Sequence, residues 1–450
     1  MLESRRVDQP SRIVIIIYAP TNDWFIVRRL VLVVPGFPKL SETFIVSKAL
    51  GLLHKGWDVH VICGRSEPAD WAYFPELETA GMRARVHVTA PIRPPWRFAL
   101  QVPVETMQLA ARPEVWKALC SDTVPVITRL KRAYLDTLLF RLQPDLVHFE
   151  FGALAVKRMY VKEAIGCRVV VSFRGHDISF VKLEQPGFYD ELWRKVDALH
   201  FLGTDLWQRA LDRGCPPDVP HFFIPAAIDI SFFDPAKEIG TALDTTTDEV
   251  LNIVSIGRMA WAKGHEYAMQ AVRHLVDNGI SCRYTIIGDG DFVEAVAFAR
   301  HQLGLEEMVH LTGPLPREQV RAHLARADLF LHAAVSEGFC NAVLEAQAMQ
   351  LPIVTSDAEG LSENVASGES GFVVPRREST ALAEKMAMLA RDPDLRRQMG
   401  EAGRQRVLRH FRLADQVEAF DMLYRSMLTG EDGSILKRVD AGNTCPEVAP

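Results

Sequence analysis

No stretch of this chain stays apolar for the roughly 18 residues that a membrane-spanning helix needs. The run Ile13-Val14-Ile15-Ile16-Ile17 is short and soon followed by Pro20, Asn22 and Asp23, which does not suit a secretory signal. Cysteine is sparse and unordered. Cys63, Cys120, Cys167, Cys215, Cys282, Cys340 and Cys445 are odd in number and contain no C-x-x-C, which argues against a disulfide framework or a cysteine-rich zinc site. Basic excess is also missing: 51 Lys and Arg against 57 Asp and Glu leave a net charge of −6, unlike the basic footprint of a nucleic-acid binder. These absences predict a cytoplasmic protein with reduced thiols, with docking at the inner face of the membrane as a second reading.

What is present is alternation. Short β-branched runs such as Leu30 to Val34, Asp145 to Phe149, Arg168 to Ser172, Leu251 to Ile256 and Pro352 to Thr355 are separated by helical patterns. That is the mark of βαβ units and parallel sheets, hence an α/β fold. At 450 residues the chain is too long for one core, so two domains are expected. The polar segment 237–249 has no apolar period and reads as the linker between them.

The most informative stretch is Glu337-Gly-Phe-Cys-Asn-Ala-Val-Leu-Glu345, after the apolar run Leu329 to Val335. A buried strand feeding through a turn into a helix places backbone N–H groups and a helix dipole where a phosphate can bind. Carboxylates on either side can accept hydrogen bonds from diols. A phosphate flanked by two polyols describes a nucleotide sugar; the bland alternative is two solvated helix-end charges. Gly257-Arg258-Met-Ala-Trp-Ala-Lys263-Gly264 follows a second strand and brings two cations into one loop. A guanidinium and an ammonium there can stabilise a departing diphosphate. As surface cations near a helix start they would instead be disfavoured by the dipole.

The E-x7-E pattern from Glu337 to Glu345 and the G-R-x4-K-G loop resemble the retaining GT-B glycosyltransferases of family four. Pro35-Gly36-Phe-Pro-Lys-Leu-Ser41-Glu42-Thr-Phe is similar to a loop of the family's exopolysaccharide branch, although a Gly-Gly pair of other branches is reduced to Gly36. Glu359-Gly360-Leu-Ser362-Glu363-Asn-Val resembles the family's G-G-x-P-E-x-V loop, with Glu359 for one Gly and Ser362 for Pro. The resemblance implies two Rossmann-like domains facing a central cleft. Residues 1–28 form an extension, in which Ile13 to Ile17 could add an edge strand. Residues 29–236 form the acceptor side, and 250–409 the nucleotide-sugar side. A helix over about 410–428 returns to the first domain, and 429–450 is expected to be a disordered tail. A basic amphipathic helix around Thr128 to Arg141 either covers the first sheet or lies on an anionic membrane.

The resemblance further implies a sugar transfer to a hydroxyl of a glycan or lipid-linked acceptor, with retention. His176, in Arg174-Gly-His176-Asp177, and Glu337 are the expected catalytic residues. Arg258, Lys263, Gly36, Phe339, Cys340 and Asn341 are expected at the diphosphate. Glu345, Gly288 and Leu315 are expected at the ribose and base, and Glu42, His148 and Glu150 on the acceptor side. No metal or other cofactor is expected, because Arg258, Lys263 and a helix end stand in for a divalent cation and no acidic D-x-D loop is read in the cleft. A sugar-nucleotide epimerase and a binding protein without catalysis are the rival readings.

Overall fold

The computed structural model describes residues 27–39, 42–89, 112–120, 125–238 and 250–430. Ser41, the Ile13 to Ile17 run, most of the expected linker and nearly all of the expected tail lie outside them.

Two parallel sheets organise the chain. The first has seven strands in the order β3-β2-β1-β4-β5-β6-β7. These are Arg29–Val34, Asp58–Cys63, Val86–Val88, Leu146–Phe149, Arg168–Phe173, Ala198–Phe201 and His221–Phe223 for β1 to β7. The second has six, in the order β10-β9-β8-β11-β12-β13. Its strands β8 to β13 are Leu251–Ile256, Cys282–Ile287, Val309–Gly313, Leu329–His332, Ile353–Ser356 and Gly371–Val374. Each order reverses between its first two central strands, so both sheets open a crevice beyond the carboxyl ends of β1 and β4 or of β8 and β11. Helices cover both faces, which is why β4, β6, β11 and β12 are buried along their whole length. The architecture is GT-B. Strand β3 has no counterpart in the sequence reading, because its three residues lie half-exposed at a sheet edge and form no apolar run.

The helices that matter to the site are α1 (Thr43–His54), α2 (Val126–Leu142), α3 (Thr204–Asp212), α4 (His265–Asp277), α5 (Asn341–Ala348) and α6 (Leu413–Thr429). Helix α2 buries Ala133, Leu139 and Phe140 in the core of the first sheet, so among the described residues it serves as a covering helix. Near the carboxyl end the chain crosses back: Ile228 N–H donates to Phe411 O and Leu413 N–H to Ile228 O, both at 3.0 Å. Helix α6 then packs on α1. Trp57 Nε1 donates to Asp421 at 2.6 Å, and a Cβ on Gly51 would lie 2.5 Å from Val417.

Candidate active site

Glu337 sits just beyond β11, where the strand's last residue, His332, is buried beneath it. Lys263 Nζ contacts Glu337 Oε2 closely, and His332 Nε2 lies 3.2 Å from the same oxygen. Burial alone would raise Glu337, but Lys263 and His332 outweigh it and hold the carboxyl down to about 2. Burial would lower His332, yet contact with Cys340 and Glu337 pushes the imidazole up to about 9. For Lys263 the burial penalty is likewise overcome by Glu337, and its pKa is raised. At neutral pH the site therefore presents an ionised carboxylate between two cations. Among the described residues, His332, Glu337 and Cys340 also bring one ligand atom each within 4.8 Å of one another, but the positive charge beside Glu337 is an ammonium.

Helix α5 starts at this turn. Its cap residue Cys340 offers no side-chain hydrogen bond, so no side chain caps the first backbone donors. The turn is anchored from below: Cys340 N–H donates to Asn364 Oδ1 at 3.0 Å, and Phe339 packs 5.8 Å from the Phe411 ring. That corrects part of the expected diphosphate set. The Cys340 N–H is already used; Phe339, its side chain in the core, can offer only its backbone N–H. Glu345 lies one turn along α5, half-buried, with no side-chain hydrogen bond among the described residues. Burial, only partly offset by Arg317, pushes its carboxyl up to about 7.

Arg258 is exposed at the end of β8, and Ala262 O accepts from Val335 and Ser336 N–H at 2.8 and 3.2 Å, so the two cation-bearing and carboxylate-bearing loops are fastened together. Gly288 is required beside them: its φ is +143°, and a Cβ there would lie 2.0 Å from Gly257 O. Leu315 is half-buried at the outer end of β10. Asp289 and Asp291 flank Gly290 in this region and do have the D-x-D spacing, which corrects the sequence reading. Both are exposed, and Asp289 Oδ1 accepts its neighbour's Gly290 N–H at 2.8 Å.

The first domain reaches the site through Arg174-Gly175-His176. Asp177 pins this loop, its carboxylate accepting from Arg174 N–H at 3.0 Å, Ile178 N–H at 3.1 Å and Gly152 N–H at 2.8 Å. His176 is exposed, 5.6 Å from the Phe180 ring, and Phe180 meets Trp261 edge-on at 5.5 Å across the cleft. Gly36 is buried in the loop after β1, where a Cβ would lie 2.6 Å from Lys39. Glu42 pairs with Lys39 at 3.0 Å beside it.

His148 and Glu150 are not on the cleft surface. Both are fully buried, so neither can touch an acceptor. They belong to a polar chain inside the first domain. His200 Nε2 donates to Ile224 O at 2.9 Å and its Nδ1 meets Ser172 Oγ at 2.7 Å; Ser172 in turn lies 2.6 Å from His148 Nε2. Tyr424 OH of α6 and Lys48 Nζ of α1 converge on His148 Nδ1 at 2.5 and 3.0 Å. Lys48 and Arg174 then clasp Glu150 from two sides, each at 2.5 Å. Burial would raise Glu150, but Lys48 and Arg174 hold it well below the ordinary carboxylate range. Burial also lowers Lys48 to about 8, against the pull of Glu150. Sequence reading missed Lys48 and Arg174. The only signal was a lysine on the sheet-facing side of an otherwise apolar helix.

Residues 245–406 match the profile described as glycosyl transferases group 1. Over that stretch the chain resembles the group 1 glycosyl transferases. The chain is 26% identical over 369 residues to the putative colanic acid biosynthesis glycosyltransferase WcaL of Escherichia coli (strain K12), covering 78% of this chain and 88% of the relative. It is 32% identical over 255 residues to the amylovoran biosynthesis glycosyltransferase AmsK of Erwinia amylovora, covering 54% and 60%. Among solved structures it shares its fold with Anabaena Alr3699/HepE in complex with UDP and glucose. That match has a TM-score of 0.66 at 17% identity, over 89% of this chain and 100% of the other.

Proposed function

We propose that this glycosyltransferase moves a sugar from a nucleoside-diphosphate donor, without a metal and with retention, onto a hydroxyl of a polysaccharide precursor or lipid-linked glycan. The observation that carries this reading is the Lys263–Glu337 pair at the uncapped start of α5. The diphosphate meets Lys263, Arg258 and the α5 dipole, which together supply the charge a divalent cation would otherwise bring. Glu337 accepts from the sugar hydroxyls and Glu345 from the ribose diol. His176 faces the transferred sugar from the other domain. In family terms the leaving phosphate takes the acceptor proton, so no protein nucleophile is assigned. The polysaccharide relatives support the acceptor class.

We place the protein in the cytoplasm, with docking at the inner face of the membrane as the second reading; no helix of the described residues is long and apolar enough to cross one. Proton NMR of a transfer reaction run in EDTA tests the chemistry: the new anomeric linkage should keep the donor's configuration. Inversion, or a strict need for Mg²⁺ or Mn²⁺, would refute it. An epimerase would instead convert the donor without any acceptor.

A further inference from the structure

Glu359 occupies a backbone conformation that suits glycine. Its φ is +29°, and the loop is folded so closely that a Cβ on the next residue, Gly360, would lie 1.8 Å from Gly338 O. A glutamate persists in such a position when its surroundings over-determine it. Here its carboxylate does so. Oε2 accepts the Glu337 backbone N–H at 2.7 Å, and Oε1 accepts from Arg376 Nη1 at 2.9 Å. Arg376 is itself tied to Asp357 and to Val335 O, so this side of the link is rigid.

The same Oε2 lies 3.4 Å from Arg209 Nη2, which belongs to α3 of the first domain. That approach is an ion pair and not a hydrogen bond, because Arg209 Nη2 is buried without a hydrogen-bond partner. Arg209 is held in place by Asp205 at 2.9 Å and by Ser179, three residues beyond His176. Glu363 crosses the boundary in the opposite sense, accepting from Thr204 Oγ1 at 2.8 Å and Asp205 N–H at 2.9 Å. Arg209 thus pairs with Asp205 of its own helix and Glu359 of the other domain, and Glu359 and Glu363 both lie near enough to Asp205 to raise its carboxyl.

We propose that Glu359 is a positioning residue, which ties the backbone of Glu337 to Arg209 so that the donor-side carboxylate is set by contact with the first domain. The proposal rests on reading Glu337 as the sugar-side carboxylate. The link transmits position alone; no proton or bond is exchanged through it.

Amide exchange at Glu337, resolved by mass spectrometry on the whole chain, tests it without any substrate. Glu359→Gly fits the backbone and removes the acceptor, so exchange at that one amide should rise by about tenfold or more. Arg209→Ala, in the other domain, should speed the same amide several-fold, and should add nothing on top of Glu359→Gly. Glu359→Gln keeps an acceptor but loses the charge, and should behave like Arg209→Ala. In transfer assays these variants should lose kcat while nucleoside diphosphate affinity holds. Wild-type exchange at Glu337 in a folded Arg209→Ala protein would overturn the link, as would an equal added effect in both backgrounds. If wild type turned over no nucleotide sugar, the proposed function would fail, and the exchange result would still decide the link.

Discussion

Gly175 of the first domain and Gly338 of the second meet backbone against backbone: a Cβ on Gly338 would lie 3.0 Å from the Gly175 Cα and 2.6 Å from Arg174 O. Only glycine lets His176 and Glu337 share one cleft at this spacing. Gly338→Ala should therefore wedge the domains apart. We expect transfer to fall by about tenfold or more, equivalent to ~1.4 kcal/mol of barrier. Nucleoside diphosphate affinity, measured by calorimetry, should stay close to wild type. Normal transfer by this variant would show that the contact does not set the site.

Glu345, read as the ribose-side carboxylate, should make donor affinity depend on pH. Its carboxyl is pushed up to about 7, and only the ionised form accepts two hydroxyls of a diol. Binding should therefore release a proton, and affinity should rise as pH climbs from 6 to 8. The stability sign is opposite. A raised folded pKa favours the fold below the ordinary carboxylate range, and that stability is lost as pH rises through about 7. Glu345→Gln should flatten both trends. The phosphate's own titration is common to both proteins, so the difference between them isolates the carboxyl.

Glu150→Gln should be among the most damaging changes far from the cleft. It leaves Lys48 buried without its partner, and breaking such a pair costs about 3–5 kcal/mol. The loss should depend on pH. Lys48 has a depressed pKa of about 8, so the stability tied to its neutral form is present at high pH and lost as pH falls through that value. Denaturant unfolding should show a smaller deficit at pH 9.5 than at pH 7. A deficit of under about 1 kcal/mol at pH 7 would mean that the network is more open than described.

His332 should matter through Glu337 alone. It is buried and touches the carboxylate at 3.2 Å, so it is placed to orient Glu337 and not to meet the donor. His332→Leu should lower kcat while the dissociation constant for the nucleoside diphosphate holds. Its pKa is raised to about 9, so the stability it contributes is complete below about 6.5 and is lost as pH rises through 9. The alkaline fall in wild-type melting temperature should be shallower in the variant.

The two sheets were readable because parallel strands buried on both faces are continuous apolar runs, as in Leu30 to Val34 and Leu329 to Leu331. The short edge strand Val86–Val88 gave no such run. Spacing placed Glu337, Arg258 and Lys263 on adjoining loops, and Glu345 on the helix that leaves one of them, since each loop follows a strand of one sheet. It could not distinguish a strand-end residue that lines the cleft from one that turns inward. His148 and Glu150 lie at the carboxyl end of β4 as Glu337 lies beyond β11, yet where Glu337 is partly exposed both are fully buried, paired with Lys48 and Tyr424 from 100 or more residues away. The role of Glu359 was invisible for the same reason, because its partners are distant in sequence.

The central claim, that Lys263 and Arg258 hold the diphosphate of a nucleotide sugar, is tested most directly by nucleoside diphosphate release. The measurement uses UDP-, GDP- and ADP-sugars in EDTA, with wild type and Lys263→Ala side by side. Removing a charge-assisted contact should cost roughly 1.5–3 kcal/mol, so one donor turned over by wild type should be turned over at least about tenfold more slowly by the folded variant. Equal release by the two proteins, or no release from any donor by wild type, would contradict the account.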